Sequence, residues 1–279
     1  MQLLINETVR IFSLCRDRLW SLLEEQKSAH PEFINFTHAQ LYFIADRSQS
    51  LMILIQAVRL WDAEIIMRAI MEATIRILYV CYSSESERIQ RINEFWSDLA
   101  EISELKRSER AKALLQRFGQ TRGNEMAIKP LILSADEEKE LRDKWPKKLR
   151  QALEQKWSFS EIIFSLESSM GKDKGGAFIR STLHNYGLSS HLIHADESGL
   201  SLLWDRNHRP DEVRGKLEIA HMCRMLSDSL SYLFLVWSAL AEGLKLNRTE
   251  LNNARQEAAP LFQQFHVREE DFYQTQETQ

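Results

Sequence analysis

Apolar residues recur along this chain at three- and four-residue steps almost from end to end, the spacing that keeps them on one face of an α-helix. A first helix is predicted over residues 3–27, with Ile5, Val9, Phe12, Leu19, Leu22 and Leu23 on its apolar side. The His30-Pro31 pair ends it, because a residue before proline is biased away from helical torsion angles. Thr37 is the expected cap of a second helix carrying Tyr42, Ile44, Leu51, Leu54 and Val58. A third, over residues 62–82, is apolar, small or aromatic nearly all round apart from Thr74 and one line of charges. Those charges are Glu64, Arg68, Glu72 and Arg76, and at i, i+4 they form a single stripe.

A more polar helix should start at Ser84 or Ser86 and reach about residue 106, followed by a mixed-charge stretch to Phe118. Residues 119–133 hold Gly123 and Pro130 without periodicity and read as a loop. Ser134 before Glu137 and Ser158 before Glu161 both have capping-box spacing, which predicts helices over 135–155 and 159–169. Pro146 should kink or divide the first of these. Residues 172–176 read as a turn, 177–195 as a helix interrupted at Gly187, and 197–209 as a polar loop holding Trp204. Asp211, after Pro210, opens the longest helix, to about residue 246, and a last helix covers 249–265 before a frayed tail. The expected architecture is all-α: a bundle of long antiparallel helices in a single domain over 1–279, with 105–160 as a helical insertion lobe.

Composition supports this reading. Glycine and proline number 9 and 5 among 279 residues, well under their usual combined share of about 12%, which disfavours turn-rich β folds. With 44% hydrophobic and 27% charged residues, a mainly disordered chain is excluded. The net charge of −4 leaves no general basic surplus for nucleic acid, so any such contact needs a local patch. Cys15, Cys81 and Cys223 are far apart and flanked by apolar residues, which points to reduced core thiols and a cytoplasmic location. The N-terminus lacks a signal-peptide pattern, and the most apolar run, 230–241, is too short to span a bilayer, so no membrane partner is expected. Trp61, Trp96, Trp145 and Trp237 are scattered and read as core or interface. The lysine-rich run 139–156 is interleaved with acids and reads as a solvated face. Nucleotide-cradling glycine motifs and the GxSxG elbow are absent from the sequence.

The chemistry-bearing window is 180–196, which contains Arg180, His184, Tyr186, Ser189, His191, His194 and Asp196. His191 and His194, at i, i+3, share a helix face. A metal site there would need a third ligand, such as Asp196, His221 or Glu72. The pair alone favours one buried, hydrogen-bonded imidazole and one exposed imidazole, with no metal and no cofactor.

Arg68-x-x-x-Glu72 on an apolar helix, followed by Tyr186-x-x-Ser189-x-x-x-x-His194-Ala195-Asp196, resembles the HEPN-like all-helical superfamily. More narrowly, it is similar to a bacterial helical family with RxxxE and YxxLSxxxxHAD-like motifs. The resemblance covers residues 50–82 and 180–245 best. It implies a metal-independent ribonuclease site between helical bundles, commonly in a homodimer, with RNA as substrate. It also implies a role in toxin–antitoxin or antiviral defence, with an antitoxin or another protein as partner. Carried onto this sequence, His194 would be the general base near neutral pH. Arg68 or Arg180 would stabilise the phosphorane, with Glu72 holding the arginine. Tyr186, Ser189, His191 and Asp196 would contact the histidine or the substrate. Ser189 stands where the superfamily often has arginine, so the cation must come from elsewhere. Arg214 and His221, with six residues between them, are a looser second match to the arginine–histidine pattern.

Two other readings stand beside the ribonuclease. One is a non-catalytic interaction or sensor module in which the motif holds the bundle together. The other, weaker, is a metal-dependent enzyme using His191 and His194. The stripe likewise has a bland account, with Glu64 and Arg76 on a solvated outer face.

Overall fold

The computed structural model describes residues 1–118, 122–170 and 176–277, and all regular structure among them is helical. In chain order the α-helices are α1 (Gln2–Gln26), α2 (Pro31–Gln56), α3 (Leu60–Cys81), α4 (Glu85–Asn93), α5 (Leu99–Phe118), α6 (Arg122–Ile128) and α7 (Ala135–Lys144). They continue as α8 (Lys147–Lys156), α9 (Phe159–Met170), α10 (Gly176–His194), α11 (Glu197–His208), α12 (Asp211–Gly243) and α13 (Thr249–Glu277). No described helix is long and apolar enough to cross a membrane.

Contacts divide the chain into two compact units, Met1–Ser83 with Ile163–Gln279, and Ser84–Ile162. The sequence set one domain with a lobe at 105–160; the second unit begins at Ser84 and takes in the polar helix before it. The first unit is built round α3, against which α2, α10 and α12 pack. A helix apolar on nearly every side must be covered on nearly every side. Ile70, Ile75, Ile77 and Leu78 on α3 are fully buried, as are Leu41, Ile44 and Leu51 on α2 and Leu230 and Leu240 on α12. Cys15, Cys81 and Cys223 are buried free thiols in the same core.

Four local expectations are corrected. Thr37 caps nothing: α2 already starts at Pro31, whose missing N–H costs nothing in a first turn, and the buried Thr37 hydroxyl donates to the Phe33 carbonyl at 2.9 Å. Residues 122–131 form α6 and a short 3₁₀ turn, Lys129–Leu131, instead of a loop. Gly187 does not interrupt α10, and a side chain there would meet open space. Residues 197–208, read as loop, are α11. The turn expected at 172–176 falls on 172–175, outside the described residues, and on the first residue of α10.

In the second unit, Ser84 with Glu87 and Ser134 with Glu137 form reciprocal capping boxes at the starts of α4 and α7. A π-helical turn, Glu94–Asp98, joins α4 to α5 and buries Glu94. Its carboxylate accepts from the Trp157 indole at 2.9 Å and from Lys156 at 2.7 Å, so the buried charge is paired.

Candidate functional site

The charge stripe on α3 is buried at its Glu64 end and half-buried from Arg68 to Arg76. Glu64, expected on a solvated face, is 1% exposed, because α12 covers it. Arg68 donates through Nε to Glu72 at 3.2 Å, and Arg76 donates to the same carboxylate at 3.1 Å. From α10, the Tyr186 hydroxyl accepts from Arg68 Nη2 at 2.7 Å, and the guanidinium carbon lies 4.0 Å from the Tyr186 ring centroid. Arg68 Nη1 is buried without a hydrogen-bond partner. The RxxxE pair and the tyrosine of the second motif therefore meet across two helices.

The rest of that motif builds the corner between α10 and α11. Ala195 adopts a left-handed torsion, φ 47°, that stops α10. Asp196 caps α11 by accepting the Gly199 N–H at 3.1 Å, and its other oxygen pairs with His191 Nδ1 at 2.7 Å. The His191 contact, with the backbone N–H second, holds the Asp196 carboxyl below its usual range. The corner is tight: a Cβ on Gly199 would sit 2.5 Å from the His191 carbonyl oxygen.

The remaining expected site residues do not converge. Ser189 is 1% exposed, and its hydroxyl donates to the Asn185 carbonyl at 2.9 Å, which leaves it no route to a substrate. Arg180 pairs with Glu167 at 2.6 Å. His194 is exposed and has no hydrogen bond to Arg68, Glu72 or Arg180 among the described residues. It lies eight residues beyond Tyr186 on the same helix, about 12 Å further along the axis. Among the described residues no group of three histidine, cysteine or acidic side chains could hold a metal ion.

A second polar cluster gathers round Glu64. Its carboxylate meets Arg224 and accepts from Nε2–H of His221, both on α12. On the other side of the ring, Arg206 of α11 donates to His221 Nδ1 at 2.6 Å. A guanidinium cannot accept, so Nδ1 is the lone-pair nitrogen and the imidazole is neutral, with its proton on Nε2. Burial, reinforced by the charge of Arg206, pushes the His221 pKa down to about 3. Arg206 also lies 4.3 Å over the ring of Trp61, which meets His221 edge-on at 5.4 Å between centroids. Arg224 continues to Asp228 at 2.9 Å, whose carboxyl burial pushes up against the pull of that arginine.

Trp61, Glu64, Arg206, His221 and Arg224 border a cavity of about 370 Å³, completed by Leu188, Leu202, Leu217, Ala220, Glu269 and Phe272. In the sequence His221 stands out only as a loose arginine–histidine match and as a third-ligand candidate. Arg214, the arginine of that match, pairs instead with Asp211 at 2.6 Å in the first turn of α12. Arg206 and Arg224 were missed. Arg206 sat in the segment read as loop, although Asp196 followed by Leu200, Leu203 and Trp204 at helical steps marks a capped helix there. Arg224 is three residues past His221 on one helix face.

Neither a curated protein nor a solved structure matches the chain. A family model matches residues 37–212, more than half of the sequence, running from α2 through α11 into the first turn of α12. The match includes Arg68, Glu72, Tyr186, Asp196 and Arg206, and on it the chain belongs to DUF5677, a family of unknown function.

Proposed function

We propose that this chain is a non-catalytic helical binding or sensing module of HEPN-like ancestry, in which the RxxxE and Tyr186–Asp196 motifs join helices instead of cutting RNA. The observation that carries this reading is the state of the two candidate histidines. His221 is neutral with both ring nitrogens bonded, so it has no lone pair for a substrate proton. Among the described residues no arginine is bonded beside His194, so a developing phosphorane there would lack its fixed positive charge. The motif residues that do meet, Arg68, Glu72 and Tyr186, form a cross-helix clamp. Three buried free cysteines fit a reducing compartment such as the cytoplasm.

The ribonuclease is the second reading. It is favoured by the exposed His194 imidazole and by the one unbonded nitrogen of Arg68. Under it, RNA is the substrate, a homodimer completes the site, and an antitoxin-like protein is the partner in a defence setting. A cleavage assay on total RNA and tRNA, with and without EDTA, separates the two readings. The module predicts no cleavage by wild type, His194→Ala or His221→Ala. EDTA-resistant cleavage that disappears in His194→Ala would establish the ribonuclease.

A further inference from the structure

Arg206 differs from most arginines of this chain: it is partly buried, and among the described residues no carboxylate lies within ion-pairing distance of it. Among the described residues its hydrogen-bond acceptor is a neutral ring nitrogen, which satisfies one of five N–H groups and none of the charge. Stacking over Trp61 engages the guanidinium face and leaves its edge, where the N–H groups lie, available. Arg224, on the same cavity wall, is by contrast neutralised by Glu64 and Asp228. A partly buried cation without a counter-ion is costly, and water can satisfy its N–H groups but not its charge.

We infer that the cavity beside Arg206 is a binding site for a small organic monoanion, a carboxylate carried on an apolar or aromatic body. The volume, about 370 Å³, is of small-molecule size. Leu188, Leu202, Leu217 and Phe272 supply the apolar wall, and the free edge of Arg206 matches the two oxygens of a carboxylate. Glu64 and His221 are positioning residues. Glu64 fixes the proton on Nε2, so Nδ1 faces Arg206 and holds the fork in place. Glu269 on the wall is not bonded to Arg206; its negative charge disfavours a dianion such as a phosphate monoester and selects a single charge. The inference deepens the sensing reading by naming what is sensed, and it is measured as binding, independently of any RNA cleavage.

The test titrates the full chain with benzoate, and with benzyl alcohol as a neutral counterpart of the same shape, by calorimetry at constant ionic strength. One benzoate site per chain is expected, with benzyl alcohol at least about tenfold weaker, since the alcohol cannot accept a charged bidentate pair. Arg206→Gln keeps an amide donor for His221 and should weaken benzoate about tenfold while the unliganded protein stays folded. Arg180→Gln, outside the cavity, should leave binding unchanged. Glu269→Gln should improve inorganic phosphate relative to benzoate. No benzoate binding by wild type, or equal affinity in Arg206→Gln, overturns the proposal. So does Arg206-dependent binding of RNA without binding of benzoate, which would mark a polyanion surface.

Discussion

The Tyr186 hydroxyl accepts a hydrogen bond from Arg68 at 2.7 Å across a sequence separation of 118 residues. That bond ties α10 to the central helix α3, and it is the point where the two sequence motifs touch. Tyr186→Phe removes the hydroxyl and leaves the ring under the guanidinium. A hydrogen bond to a charged donor contributes about 1.5–3 kcal/mol, so urea unfolding should show a loss at the lower end of that range. Unchanged stability would mean that the clamp does not hold the helices.

The corner between α10 and α11 makes a structural account of Asp196 testable. Gly199→Ala places a Cβ against backbone that cannot rotate away, and should cost about 1–3 kcal/mol in the same denaturation experiment. Asp196→Ala should lower the melting temperature, whereas Asp196→Asn keeps an acceptor for the Gly199 N–H and should retain most of it. If both Asp196 variants match wild type, the residue is free for another role.

Acid should expose the neutral state of His221. The folded-state pKa, about 3, lies below the unfolded value of roughly 6.5. Between those two values the unfolded chain binds a proton that the folded chain does not, so this group's contribution is intact above about pH 6.5 and is lost as pH falls toward 3. Asp228 and Glu269, whose carboxyls burial pushes up, act in the opposite sense, and Glu64, Arg206 and Arg224 also face the ring or stand beside it. The clean measurement is therefore a difference. His221→Gln should show a shallower loss of stability across that window, with close to one proton fewer taken up on unfolding. Parallel pH profiles for the two proteins would mean that folding leaves the His221 pKa unshifted.

Val58 sits at φ 54° just after α2, where the Arg59 N–H reaches back to the Leu54 carbonyl at 2.8 Å. That helix-ending position favours glycine, and a β-branched residue is strained there. Since Val58 is half exposed, Val58→Gly gives up little burial and should stabilise by about 1 kcal/mol, the strain relieved less the added freedom of the unfolded chain. A lower melting temperature in the variant would contradict this.

Helix content, the capping box at Ser134, and the division at Pro146 are local matters, settled by spacing and by groups a few residues apart, so they could be read from sequence alone. The cryptic helices α6 and α11 were harder. α6 is short and polar, whereas α11 carries a short signal, Asp196 as cap before Leu200, Leu203 and Trp204, and is held in place by the close approach of Gly199 to the end of α10.

What the sequence determined by itself was the all-helical class, the apolar character of α3, and the fact that Glu64, Arg68, Glu72 and Arg76 share one line along it. Those follow from the fixed geometry of a helix. It could not determine which part of that line faces inward, because a salt-bridged ladder on a solvated surface and charges met by partners from other helices have the same spacing. Tertiary packing decided it: α10 brings Tyr186 to Arg68, α12 brings His221 and Arg224 to Glu64, and α11 brings Arg206 to the far side of His221. Partners so far apart in sequence leave no periodic trace, and only the packed structure shows that Arg206 meets a neutral ring nitrogen where Arg224 meets two carboxylates.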